Sequence, residues 1–307
     1  MLFIHMVTFD EFYSGYFKDR WNTLRAALLT SHYSFPLKTD SNEPYFMDIS
    51  SVLASLLFAE TLKTYANTLL HYESESMLSL LDACSAPGGK LLAATRYLTA
   101  HHVPFTILAN ELSSNRRRIL ANVVKEHCNP ALQRSITISG FDAARAGSKK
   151  TEHKRFHGIL LDVPCSSERH VIQDAQAYAS WTPARIKSLS QRQWSLLSSA
   201  FLLAKDNAVI AYITCAMTAQ ENDDIIERAL KKYGPTVQVL PSHALAEHVL
   251  ANNFFACLFN EAKTNTGESY SISSIQFEST KYGIALLPDI SHGAGPLYIA
   301  MLLKHSE

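Results

Sequence analysis

Ser79-Leu80-Leu81-Asp82-Ala83-Cys84-Ser85-Ala86-Pro87-Gly88-Gly89-Lys90 is an apolar run, short enough to be a buried strand, that breaks at once into a Pro-Gly-Gly turn. A helix is expected to start there. Gly88 and Gly89 let the backbone take positive φ and approach a ligand, and the free N–H groups of the helix that follows form an anion site. The spacing is neither the GxGxxG of dinucleotide folds nor the GxxxxGK[ST] of phosphate loops, so a carboxylate is a better guest than pyrophosphate. Asp82 at the strand end, and Glu111 after the next strand, are placed to accept hydrogen bonds from an amine or a ribose, as in doubly wound sheets. Amine, carboxylate and ribose together suggest S-adenosylmethionine. The bland alternative is a plain strand-to-helix turn in some other α/β protein.

Outward from this stretch the chain alternates. Strands are expected at 79 to 84, 105 to 110, 135 to 141, 158 to 163 and 207 to 214, and helices at 89 to 100, 113 to 128, 182 to 205 and 219 to 233. That is the pattern of a mostly parallel sheet with helices on both faces, whose ligands sit outside the C-terminal strand ends. Pro296-Leu-Tyr-Ile-Ala-Met-Leu-Leu-Lys304 reads as a last strand, after a polar, irregular stretch from Asn252 to Ser273. Ahead of the sheet, residues 7 to 31 look helical, with Phe12, Tyr16, Trp21, Leu24, Leu28 and Leu29 at three- and four-residue steps. A break with two prolines follows, then a second helix from about 51 to 70, capped by Asp48 or Ser50. The expected division is a helical extension over 1–70 and a sheet domain over 71–307.

At 307 residues and 47% hydrophobic, the chain can bury a full core. No apolar run approaches the ~20 residues needed to span a bilayer, and no membrane partner is expected. The opening Met-Leu-Phe-Ile-His-Met-Val is too short for a signal peptide, and Asp10 and Glu11 follow too soon for a transit sequence, so a cytoplasmic location is expected. The formal net charge is zero, yet residues 113 to 192 hold 14 Lys or Arg against 6 Asp or Glu. A charge cluster is usually a solvated helix face. Because this one overlaps the suspected site, phosphate binding is the reading given more weight.

Five cysteines without a CxxC pair indicate neither a disulfide frame nor a metal site. Two of them share a setting. The fourth strand ends Leu160-Leu-Asp-Val-Pro-Cys165 and the fifth ends Ala211-Tyr-Ile-Thr-Cys215, each on the rim that holds the Pro-Gly-Gly turn. One such cysteine is more often an apolar filler. Two, with Asp162 three residues before one of them, suggest nucleophilic chemistry on a heteroaromatic ring. Cytosine carbon 5 does not attack a methylsulfonium unaided; a thiolate added at carbon 6 converts it to an enamine. A second acid-base group must then remove the carbon 5 proton.

On these residues the chain resembles the Nop/Sun family of RNA 5-methylcytosine methyltransferases. The matching pieces are Asp82 to Lys90, Ala109-Asn-Glu-Leu-Ser-Ser-Asn-Arg116, Asp142, Asp162-Val-Pro-Cys165, and Thr214-Cys215 with Glu221-Asn222 downstream. Arg20-Trp21, Asp48 with Ser51, Ser166-Ser-Glu-Arg-His170 and Gly295-Pro-Leu-Tyr look most like the branch containing the mitochondrial small-subunit rRNA enzyme.

The resemblance implies a class I S-adenosylmethionine-dependent methyltransferase fold, Rossmann-like, acting on RNA. It implies Cys215 as the nucleophile, Cys165 assisting product release and Asp162 contacting the cytosine edge. Cys84, Ser85, Ala86, Pro87, Gly88, Gly89 and Lys90 would line the methionine end of the cofactor, with Lys90 near the reacting centre. Glu111 would hold the ribose hydroxyls with Arg116 supporting it, and Asp142 would face the adenine amino group. Arg116 has the competing reading of a solvated arginine, and Asp142 that of a turn residue. The chain departs from the family pattern at Met47, Leu91 and Ala216, where Gln, Thr and Ser are usual. Ribosomal RNA is the favoured substrate, transfer RNA the runner-up, and a weakly active RNA-binding assembly factor the rival of another class. A protein adapter is compatible with the neutral chain.

Overall fold

The computed structural model describes residues 7–30, 34–73, 76–148, 154–261 and 275–306. In chain order the helices are α1 Phe9–Phe17, α2 Trp21–Leu29, α3 Ile49–Glu73, α4 Gly89–Ala100, α5 Ser114–His127, α6 Pro130–Ser135, α7 Ala143–Ala146, α8 Glu168–Gln173, α9 Ala175–Ala179, α10 Pro183–Leu203, α11 Asp223–Tyr233, α12 Ser242–Ala251 and α13 Asn253–Glu261. The strands are β1 Phe35–Leu37, β2 Tyr45–Met47, β3 Leu78–Asp82, β4 Phe105–Asn110, β5 Ile136–Ser139, β6 Phe156–Asp162, β7 Ala204–Thr214, β8 Val237–Val239, β9 Glu278–Ser279, β10 Ile284–Leu286 and β11 Leu297–Lys304.

The main sheet runs β5-β4-β3-β6-β7-β11-β10-β9, with β8 also paired to β11. β5, β4, β3, β6 and β7 are parallel, and β11 returns antiparallel beside β7. The strand order reverses between β3 and β6, so the crevice above their C-terminal ends is where such a sheet binds ligands. Alternation along each buried strand divides the core into two layers. Leu80, Leu160, Val209, Ala211 and Ile213 face one layer with α3 and α4, while Leu81, Ile159, Leu161, Ile210 and Tyr212 face the other with α10 and α11. The α3 helix lies close on the sheet because β6 carries Gly158. A Cβ there would come within 2.6 Å of Leu62 Cδ2.

The stretch read as one helix over 7 to 31 is two. Thr8 caps α1 through a reciprocal bond with Glu11, and Lys18 then takes φ +52°, which no helix continues through. A third, aromatic core joins this pair to the segments that follow the C-terminal ends of β6 and β7: Phe9, Tyr13, Trp21 and Leu24 pack with Val171, Trp181, Met217 and Leu287. The proline-bearing break holds the antiparallel β1–β2 hairpin. Part of the stretch read as irregular forms α13, whereas 262–274 fall outside the described residues, as do Lys149 and Lys150 of the basic segment and the opening residues 1–6. Among the described residues no helix is long and apolar enough to cross a membrane.

Candidate active site

The rim above β3, β6 and β7 gathers the expected residues. At the end of β3, Gly88 takes φ +122°, a conformation that excludes other residues, and a Cβ on Gly89 would meet Tyr45 Cε1 at 2.9 Å. Gly89 borders a hollow of about 190 Å³ lined also by Asp82, Ser85, Pro87, Lys90, Asp162 and Tyr45. Asp82 Oδ2 and Ser85 Oγ are buried beside it with no protein partner. Burial pushes the Asp82 carboxyl up to about 7. A buried acceptor and a buried hydroxyl, both unsatisfied, fit the amine and carboxylate of an amino-acid group; buried polar atoms left unpaired are otherwise costly. Cys84, beside them, is raised by burial and is therefore a thiol, not a thiolate.

The next strand end places Glu111. It is buried, accepts the Ser113 N–H at 2.8 Å and pairs with Arg116 Nη1 at 3.2 Å. Arg116 Nη2 also donates to the Ala86 carbonyl at 2.5 Å, so its guanidinium ties Glu111 to the Pro-Gly-Gly loop. Asp142 caps α7 by accepting the Ala144 N–H at 3.2 Å, and pairs with Arg192 Nη2 at 2.5 Å. The Arg192 guanidinium holds its carboxyl below the usual range. The turn reading of Asp142 is what the structure shows: it caps the start of α7, and its carboxyl is already paired with Arg192. A larger cavity of about 510 Å³ lies beside it, lined by Leu108, Phe141, Arg145, Phe156 and Leu203, and reached by neither rim cysteine.

Across the crevice, Lys90 Nζ donates to Asp162 Oδ2 at 2.7 Å. Burial alone would depress the Lys90 ammonium, and the Asp162 carboxylate outweighs it, so Lys90 is held above its ordinary value. Cys165 and Cys215 stand together at the ends of adjacent strands. The Cys215 N–H donates to Cys165 Sγ at 3.2 Å. Hydrogen bonding with the Cys215 thiol, and then burial, push Cys165 well above the usual thiol range. Cys165 is buried and Cys215 is only partly so, leaving Cys215 as the sulfur open to a substrate.

Several residues that carry the site have no role in the sequence reading. Asn110 Nδ2 donates to the carbonyls of Ala83 and Phe141, and its Oδ1 accepts from Phe141 N–H and Ser139 Oγ, which locks three strand ends in register. Behind Cys165, the Ser166 hydroxyl lies 2.5 Å from both Glu168 Oε1 and Glu221 Oε2. Gln193 Nε2 donates to Glu221 at 2.8 Å, and Tyr13 of α1 donates to Glu168 at 2.5 Å. The available signal is the pair of glutamates shortly after Pro-Cys and Thr-Cys. Their meeting spans 53 positions of chain and is not written in local spacing.

A mostly parallel sheet with this order, a glycine-lined hollow at its switch point and an acid after the second strand define the class I methyltransferase fold. Solved structures agree on the fold: PH0851 superposes with a TM-score of 0.68 at 17% identity over 96% of this chain and 65% of that chain. NSun6 from Pyrococcus horikoshii, solved with SFG, gives 0.58 at 16% identity over 87% and 55%. Within that class the chain belongs to the 16S rRNA methyltransferase RsmB/F family, whose model matches residues 67–266. Relatives include the ribosomal RNA small subunit methyltransferase F of Serratia proteamaculans, 32% identical over 55% of this chain and 33% of that protein. That of Shewanella loihica is 34% identical over 54% and 32%. The match therefore spans about a third of the length of these curated relatives.

Proposed function

We propose that the protein transfers a methyl group from S-adenosylmethionine to carbon 5 of a cytidine in RNA, with ribosomal RNA as the favoured substrate. The observation that carries the reading is the meeting of Cys165 and Cys215 at adjacent strand ends, beside the Asp162–Lys90 pair that borders the glycine-lined hollow. Family membership supports RNA as the substrate class, and the relatives named for small-subunit rRNA favour that RNA.

The cofactor supplies an electrophilic methyl group. Asp82, Ser85 and the Gly88–Gly89 backbone would hold its amino-acid end, and Glu111, braced by Arg116, would take the ribose hydroxyls. The Cys215 thiolate adds to carbon 6 of the cytosine. Asp162, held by Lys90, accepts a hydrogen bond from the polar edge of the ring and fixes its plane. Once carbon 5 carries the methyl group, Cys165, having given up its own proton to solvent, takes the proton from carbon 5, the ring double bond re-forms, and the electrons of the carbon–sulfur bond return to Cys215. The base must leave its stack to reach this rim, so a single-stranded or flipped nucleotide is required. The expected result of Cys215→Ala is complete loss of labelled methyl transfer to RNA. Cys165→Ala should leave protein covalently attached to RNA, seen as a slow-migrating band on a denaturing gel. Bisulfite sequencing of total RNA with and without the gene names the target. Full activity of Cys215→Ala, or no transfer to any RNA by the wild type, would sink the reading.

A further inference from the structure

Ser167 stands between the two thiols. Its hydroxyl oxygen lies 3.1 Å from Cys215 Sγ, 3.5 Å from Cys165 Sγ and 3.4 Å from the Cys165 carbonyl. Its backbone occupies the left-handed region at φ +54°, ψ +59°, which an L-residue other than Asn or Asp seldom takes. Ser167 heads α8, where a serine ordinarily turns its oxygen back onto the free N–H groups of the helix; here it makes no such bond. The hydroxyl has been directed away from capping and onto sulfur. The shortest of its three contacts is to the more open thiol.

We infer that Ser167 is a further catalytic residue of this site, its hydroxyl donating a hydrogen bond to the Cys215 thiolate that attacks carbon 6. The inference rests on the two-thiol reading given above. The Cys215 proton leaves to solvent; the hydroxyl keeps its own proton and stabilises the negative sulfur, as hydrogen bonds to a charged form do. When the carbon–sulfur bond forms, Cys215 becomes a thioether and a poor acceptor. The same hydroxyl then has Cys165 within reach at 3.5 Å, and its hydrogen bond offsets part of what holds that thiol protonated, so that Cys165 can release its own proton to solvent before it takes the one from carbon 5. One rotatable group thus serves two sulfurs in turn without itself being bonded to substrate.

The test needs neither RNA nor methyl donor. Iodoacetamide alkylation of Cys215 in the full-length chain, followed by peptide mass, is measured against pH for wild type, Ser167→Ala and Ser167→Gly. Alanine removes the hydroxyl and keeps the strained backbone; glycine removes both the hydroxyl and the strain. Lys90, Asp162, Cys165 and Glu168, the ionisable groups around the two thiols, are unchanged in all three. Both variants should move the midpoint up by about one pH unit, a roughly tenfold slower reaction at neutral pH. Midpoints unchanged in both would overturn the inference. A shift in alanine alone, with glycine matching wild type, would overturn it too, because the backbone and not the hydroxyl would then be responsible. If Cys215→Ala keeps full methyl transfer while the midpoint still moves, the thiol contact stands and the proposed reaction falls.

Discussion

Ser166 owns a single hydroxyl proton and touches two carboxyl groups at 2.5 Å. It can donate to only one, so the other contact requires a carboxyl proton pointing back at it; Glu168 and Glu221 together hold that proton. Burial, then the neighbouring Glu221 charge, raise Glu168 from 4.5 to about 7. The Tyr13 phenol, pushed upward by burial and by Glu168, remains a donor throughout. A carboxyl raised in the folded state stabilises the protein fully below its unfolded value of 4.5, and that contribution is lost as pH rises through about 7. Glu168→Gln should therefore flatten the fall in urea midpoint between about pH 5 and pH 8, by on the order of 2 kcal/mol relative to wild type. Parallel curves for the two proteins would show that Glu168 is ionised throughout. Gly88→Ala tests the turn beside the hollow at the same scale. At φ +122° with Val123 Cγ1 3.0 Å from the added carbon, the variant should lose about 1–2 kcal/mol and bind S-adenosylmethionine at least tenfold more weakly by calorimetry.

Among the elements, α1 does more than cover the sheet. Tyr13 reaches the loop after β6 through Glu168, and Tyr16 accepts the Ala219 N–H at 2.7 Å in the loop after β7. The two segments that carry the cysteines are thus gripped by one helix, and Arg20 pins the following turn to Asp289 and Glu278. Tyr13→Phe keeps the packing and removes the bond. It should cost about 1 kcal/mol of stability and lower the methylation rate more than it weakens RNA binding, because the loop behind Cys165 loses its stay. Equal turnover in both proteins would reduce α1 to a packing element. Much of this architecture is legible in the chain. The expected ranges for β4 and α4 coincide with those observed, since continuous apolar runs and a glycine start leave little choice. The short helices α8 and α9 are not legible. Ser167 enters α8 from a left-handed conformation that no residue preference announces, and the tie from Tyr13 to Glu168 crosses 155 positions. The same limit applies in the site. Asp162, Cys165 and Cys215 announce themselves as strand-end residues, whereas the polar network that holds them is assembled only by folding.

Over the molecule as a whole, 28 basic and 28 acidic side chains cancel, and any grip on RNA depends on where the cations stand. Three arginines of the basic segment are occupied on the rim: Arg116 with Glu111, Arg117 with the Glu111 carbonyl, and Arg192 with Asp142. Arg118 near the start of α5 and Lys187 near the start of α10 are exposed. Replacing both with alanine should weaken RNA binding uniformly across sequences and reduce the slope of log affinity against log salt by about 2, leaving Cys215 alkylation untouched. An unchanged slope would make this segment an ordinary solvated face.

The seating of β11 against β7 has a bearing on when the protein can act. Tyr298 is in register with Thr214, so the strand that leads into Cys215 has no neighbour on that flank until residues 297–304 have been made. A polypeptide still threaded through the ribosome, with that strand inside the exit tunnel, is expected to incorporate no labelled methyl into the RNA around it. Activity would arrive only once that strand has emerged and paired beside β7.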